Sequence, residues 1–219
     1  MIRAENLTVR FGADTVLDGL DLHVPAGELA VLSGANGAGK STLLRALAGL
    51  LPPTSGRVTI GGHEPAERAA RELLGFVQDE PPLYEYLTVR EHLALVARLW
   101  GTPVRDSLAG LDRFGAAEWS DALIRDLSLG TRKKVGLVAA TLHRPRAVLL
   151  DEPFNALDPE AADELAVLLA EWRGEGRTVL VCSHERRRVE GLADRQVVLG
   201  AGHVQPHPSP SSRKEGAAQ

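Results

Sequence analysis

What this sequence lacks narrows it first. It has a single cysteine, Cys182, so no internal disulfide can form, and its cysteine usage suits a reducing compartment. It has no excess of one charge: 25 basic residues stand against 29 acidic ones, a net −4, which argues against broad electrostatic binding of nucleic acid. No apolar run approaches the roughly 18 residues of a membrane span, and stretches such as "VGLVAATL" (135–142) stop well short. The opening "MIRAENLTVRF" carries Arg3 and Glu5 with no apolar segment behind them, so no signal peptide is expected. The seven histidines show no zinc-ligand spacing; His203 and His207 are four apart, but Pro206 lies between them. No internal repeat is visible.

What is present suits one domain with a sub-lobe, since 44% of residues are hydrophobic. "LTVRF" (7–11) and "VLDGLDLHV" (16–24) alternate apolar and polar residues and read as half-buried antiparallel strands. "PAGELAVLSG" (25–34) runs from a turn into an apolar strand. Leu43, Leu44, Leu47 and Leu50 or Leu51 then follow helical spacing, and "PPTSG" (52–56) ends that helix. "RVTIGG" (57–62) and "LGFVQ" (74–78) read as short strands. Residues 79–142 change texture, with helix-period apolar residues in 88–101 and 129–142, and are expected to form a mostly helical insertion. "AVLLDEP" (147–153), "TVLVCSH" (178–184) and "RQVVLGAG" (195–202) read as further strands, and 159–176 as a helix opening on Pro159 and closing on glycine. Strands alternating with helices imply a parallel sheet with right-handed crossovers. The tail 206–219 is low in apolar residues and is expected to be disordered.

Two motifs carry chemistry. Gly34, Ala35, Asn36, Gly37, Ala38, Gly39, Lys40 and Ser41 fit G-x-x-x-x-G-K-[ST], between an apolar strand and an apolar helix, and with Thr42 they are the candidate ATP-binding residues of the loop. Such a loop turns successive N–H groups toward phosphate oxygens, and the helix N-terminus adds partial positive charge. Lys40 is the cation for the β- and γ-phosphates, and Ser41 offers a hydroxyl to Mg²⁺. The loop alone leaves kinases, GTPases, helicases and transport ATPases open. The second motif is Asp151–Glu152, at the end of an apolar strand: a metal-holding aspartate followed by a carboxylate that can orient or deprotonate water at a γ-phosphate.

Taken together with residues elsewhere, the chain from about Ile2 to Val204 resembles the ATP-binding subunit of ABC transporters. The resemblance implies a P-loop NTPase α/β core with a mostly parallel sheet, an N-terminal antiparallel β subdomain and a helical subdomain, spanning residues 1–205. By the same resemblance Phe11 stacks on adenine, Gln78 reaches Mg²⁺ and water, and Asp151 holds Mg²⁺ with Ser41 and Gln78. Glu152 is the catalytic glutamate, His184 contacts the γ-phosphate, and "NALD" (155–158) with Asp158 is the D-loop. "LSLGT" (127–131) matches the signature motif, which caps the nucleotide of a partner subunit. Here Ser128 and Gly130 keep the commonest form, while Leu129 and Thr131 replace its glycine and glutamine.

The implied cofactors are ATP and Mg²⁺. The implied partners are a second ATPase subunit, identical or different, and an integral membrane permease, with no nucleic acid. The implied location is cytoplasmic, at the inner membrane face, and an exporter is the leading expectation. A soluble ABC protein acting on ribosomes or DNA, a haem exporter for cytochrome c maturation, an importer subunit and a regulatory subunit with little turnover are the competing readings. Tyr84 and Tyr86 read equally as permease contacts or as helical-lobe core, and Phe11 also reads as ordinary strand core. Cys182 reads as a small core residue, and "RKK" (132–134) and "ERRR" (185–188) as solvated helix faces.

Overall fold

The computed structural model describes residues 1–189 and 191–205, so the expectation for the tail 206–219 lies outside the described residues. Strands β1 (Ile2–Phe11), β2 (Asp14–Val24) and β4 (Ser55–Ile60) form an antiparallel sheet in the order β2-β1-β4. Ile2 and Ala4 are buried at period two. The pattern then slips, because a bulge lies between Ala4 and Leu7 with Asn6 at φ 49°, and burial resumes at Leu7 and Val9. The bulge explains why alternation is readable in the sequence only from Leu7 onward.

The larger sheet has the order β5-β6-β7-β3-β8-β9: β5 (Leu74–Val77), β6 (Ala147–Asp151), β7 (Thr178–Cys182), β3 (Leu29–Ser33), β8 (Arg195–Gly200) and β9 (His203–Gln205). All neighbours are parallel except the β8–β9 hairpin. Every residue of β3, β6 and β7 is buried, as expected of strands covered on both faces. Successive residues of β3 feed opposite cores. Leu29 and Val31 pack beneath the helical lobe with Leu165, Leu169 and Trp172, while Ala30 and Leu32 pack with Leu43, Leu44 and the small antiparallel sheet.

Helix α1 (Lys40–Leu47) stops earlier than its leucine spacing predicts. Gly49 takes φ 72°, leaving Leu50 exposed and Leu51 half-buried beyond the helix. Helix α2 (Arg68–Leu73) has no counterpart in the sequence reading; it buries only Ala70, too little to leave a periodic signal. Residues 79–142 contain α3 (Val89–Trp100), α4 (Val104–Arg113), two short 3₁₀ turns and α5 (Leu129–Thr141). A reciprocal cap between Thr88 and Glu91 fixes the start of α3, and Gly101 at φ 68° ends it. Helix α6 (Pro159–Gly174) begins on the Asp158 cap, with Pro159 in its first turn, and ends slightly before the expected boundary; α7 (Arg186–Val189) is a single turn.

Two surface readings are corrected by packing. Lys133 and Lys134 are buried on α5 rather than lying on a solvated face, because that helix is covered nearly all round. Tyr84 and Tyr86 are exposed, so they are not helical-lobe core.

Candidate functional site

A cleft of about 430 Å³ opens beyond the carboxyl ends of β3, β6 and β7, where an open parallel sheet places ligand sites. It is lined by the phosphate-loop residues Asn36, Gly37, Gly39, Lys40, Ser41 and Thr42, facing Asp151, Glu152 and His184. Val16, Asp79, Asn155 and Cys182 complete the wall.

The loop's glycines are set by backbone demands. A Cβ on Gly34 would collide with the carbonyl oxygen of Leu199 on β8, so only glycine lets the loop leave β3 this close to the sheet. Gly39 sits at φ 96° immediately before α1, a conformation that side chains rarely adopt. Lys40 is nearly buried and donates from Nζ to the carbonyls of Gly34 (2.9 Å) and Ala35 (3.0 Å). Its stem thus crosses back over the loop, and an ammonium keeps a third proton for an anion.

Asp151 ends β6 buried at 3% exposure, and its Oδ1 has no hydrogen-bond partner. Burial pushes its carboxyl above the usual range; the Ser41 hydroxyl opposes that shift and the Asp79 charge adds to it. An orphaned buried carboxylate oxygen beside a hydroxyl is a set of hard oxygens that suits Mg²⁺, a cation that takes one or two carboxylates and completes its shell with waters and phosphates. Among the described residues no group of three or more histidine, cysteine or acidic side chains could enclose a metal, so a softer, fully protein-ligated ion has no counterpart there.

Glu152 adopts φ 44°, a strained value for a residue with a side chain. Both main-chain groups are fastened. Its N–H donates to the Cys182 carbonyl (2.8 Å), and its carbonyl accepts from Asn155 N–H (3.2 Å) and Lys133 Nζ (3.1 Å). The carboxylate faces His184, with Oε1 3.2 Å from the ring Nε2 and Oε2 accepting the His184 N–H at 3.1 Å. The Cys182 thiol lies 3.8 Å from the same carboxylate. Burial and the carboxylates of Asp151 and Glu152 push that thiol far above its ordinary pKa, which keeps it an inert core residue as its strand position predicts.

The remaining expected site residues lie outside this wall. Gln78 follows β5, half-buried, and it is the next residue, Asp79, that lines the cleft. Phe11 is half-exposed at the end of β1, so it is not strand core; Val16 is the apolar residue of that sheet in the cleft wall. Ser128, Leu129, Gly130 and Thr131 also stand apart. Ser128 caps α5, accepting Thr131 N–H at 3.1 Å, and the two hydroxyls are 2.9 Å apart. Thr131 therefore closes the turn locally, and Leu129 is half-exposed. Asp158 caps α6 through Ala161 N–H (2.8 Å) and pairs with Lys134 (2.6 Å). Sequence reasoning did not single out Asp79, and it read Lys133 as solvated. The only signal for that pair was an acid following Gln78 and a lysine two residues after the signature, too common to weigh alone.

This architecture, with antiparallel strands, a parallel core and a helical lobe around a phosphate loop, is the P-loop ATPase fold in its ABC form. The family model for ABC transporters matches residues 17–155, and the chain belongs to that family. The chain is 33% identical over 194 residues to the lantibiotic transport ATP-binding protein SrtF of Streptococcus pyogenes, covering 89% of this chain and 84% of that one. It is 34% identical to the bacitracin transport ATP-binding protein BcrA of Enterococcus faecalis, covering 93% and 68%, and 37% identical to the aliphatic sulfonates import ATP-binding protein SsuB of Pseudomonas putida, covering 93% and 74%. Among solved structures it superposes on an ATP-binding subunit of an ABC transporter with a TM-score of 0.87 at 31% identity, over 94% of this chain and 88% of that one. It also superposes on a dimeric bacterial ABC transporter cassette, MJ0796, with a TM-score of 0.85 at 25% identity, over 94% and 97%. The chain is thus an ATP-hydrolysing enzyme, the ATP-binding subunit of an ABC transporter. No helix among the described residues is long and apolar enough to cross a membrane.

Proposed function

We propose that this chain powers an exporter by ATP-driven closure of two ATPase subunits against a separate membrane permease. The carrying observation is the split between its two halves of a site: Lys40, Ser41, Asp151, Glu152 and His184 share one cleft, while the signature turn at Ser128–Thr131 lies outside it. A turn whose helix N-terminus is free of its own cleft is suited to a nucleotide held by a second copy. The exposed Tyr84 and Tyr86, in the loop after Gln78, are the proposed contact with the permease, which would hold the chain at the cytoplasmic face of the membrane.

In this reading Ser41 and Asp151, with Gln78, hold Mg²⁺, which neutralises charge on the β- and γ-phosphates when bound. Lys40 and the loop amides hold the phosphates, and Phe11 stacks on the adenine. Glu152, oriented by His184, takes a proton from the attacking water as its oxygen bonds to the γ-phosphorus and the bond to the β–γ bridging oxygen breaks. Export is the reading proposed here, and it draws on relatives named for lantibiotic and bacitracin transport. The sulfonate relative supports import as the second reading, which a strain lacking the chain separates: sensitisation to an antimicrobial peptide indicates export, loss of growth on a scavenged nutrient import.

The direct test uses Glu152→Gln, which removes the proton acceptor and keeps the shape. With ATP and Mg²⁺ the purified variant is expected to run as a dimer by size exclusion with light scattering, and as a monomer without nucleotide. A variant that binds ATP yet stays monomeric would overturn closure by this chain alone. Hydrolysis at the parent rate would overturn the role of Glu152.

A further inference from the structure

We infer that Lys133 is a positioning residue that ties the signature helix to the main chain of Glu152. This rests on the reading of Glu152 as the group that activates water. Lys133 is fully buried at the fifth position of α5, two residues after the signature, where an unpaired ammonium would be strongly disfavoured. Its Nζ has two partners from distant parts of the chain: Asp79 Oδ1 at 2.9 Å, in the segment after β5, and the Glu152 carbonyl at 3.1 Å. The same Asp79 oxygen accepts from Asn155 Nδ2 at 3.3 Å, which closes a ring of contacts around the 152–155 turn.

The packing around the lysine leaves α5 little freedom to slide. A Cβ on Gly130 would collide with the carbonyl of Ala156, and one on Gly136 would collide with the ring of Pro81. The helix therefore lies directly on both the turn after Glu152 and the segment after Gln78, with Lys133 between those two approaches. Glu152 is held at φ 44°, and of the two donors on its carbonyl only Lys133 comes from outside its own turn. A shift of α5 would pull on that carbonyl and re-aim the carboxylate one residue's length away. In a closed pair, the signature of this chain would serve its partner's nucleotide while Glu152 serves its own, so Lys133 would carry the state of one site to the other.

The test is Lys133→Met, of similar length but without donors or charge, made in the parent and in Asp79→Asn. In the nucleotide-free chain, amide hydrogen exchange at Glu152, Asn155 and Leu157 is expected to accelerate by about ten-fold or more while that of β6 stays unchanged. In steady-state hydrolysis kcat is expected to fall by about ten-fold or more with KM for ATP within about three-fold, the pattern of a lost transition-state arrangement. The same loss is expected in Asp79→Asn, because the bond to the Glu152 carbonyl does not pass through Asp79. Unchanged exchange at those amides overturns the inference, as does a kcat loss that vanishes in Asp79→Asn. Should Lys133→Met fail to fold, Lys133→Gln, which keeps a donor and drops the charge, is read by the same exchange comparison. A parent chain that hydrolyses no ATP would overturn the reading of Glu152, while the exchange result still decides whether Lys133 holds the turn.

Discussion

His184 grips Glu152 from two sides, its ring Nε2 3.2 Å from one carboxylate oxygen and its main-chain N–H 3.1 Å from the other. The two residues come from the ends of β6 and β7, adjacent parallel strands, so sheet pairing sets their separation. A carboxylate held at both oxygens has few rotamers left, which is what a water-orienting group requires.

Removing the ring tests that arrangement. His184→Ala keeps the main-chain donor and loses the side-chain contact, and kcat for ATP hydrolysis is expected to drop by about 100-fold, within the range typical of a lost acid–base or positioning group. Nucleotide affinity, measured by equilibrium binding, is expected to stay within about three-fold, since Lys40 and the loop amides are untouched. A variant with parental kcat would separate His184 from the chemistry.

The burial of Asp151 carries a cost in stability. Burial raises its carboxyl pKa above the unfolded value, so the folded state holds the proton more tightly than the unfolded one. The sign follows: this group's contribution to stability declines as pH rises from the ordinary carboxylate value through the raised folded one. Asp151→Asn is therefore expected to melt at a higher temperature than the parent at neutral pH without metal, and to lose Mg²⁺-dependent hydrolysis. A lower Tm in calorimetry would contradict the burial penalty.

The Lys134–Asp158 contact runs the other way. The Lys134 ammonium first, and the Ala161 N–H second, hold the Asp158 carboxyl below its usual range. Its stabilisation is present above the ordinary carboxylate pKa and is lost as pH falls through the depressed one. Asp158→Ala is expected to cost about 1–2 kcal/mol at neutral pH, chiefly from the lost helix cap, and less in acid. Asp158→Asn keeps the cap and is expected to recover part of the loss; chemical denaturation at two pH values reads both.

Much of the fold was legible because its signals are local. The strand before Gly34, the leucines after Lys40 and the apolar run into Asp151 each declare themselves within a few residues, and Pro159 after Asp158 announces a helix start. Where the reading slipped, no local signal existed. Leu50 continues a helical spacing that Gly49 cuts off, and α2 buries a single alanine. Lys133 and Lys134 read as solvent-facing because α5 is covered nearly all round and so offers no polar stripe against which a buried lysine would stand out.

The sequence by itself determined the phosphate loop, the carboxylate pair and the alternation of strands with helices, since backbone geometry and periodicity act over a few residues. Only the tertiary structure decided which groups meet. It brought His184 across 32 residues to Glu152 and Lys133 across 54 to Asp79, and it put Asp79, rather than Gln78, in the cleft wall. The reason is physical: a charged side chain's burial and partner depend on what packs over it from elsewhere in the chain, and no spacing within its own element records that.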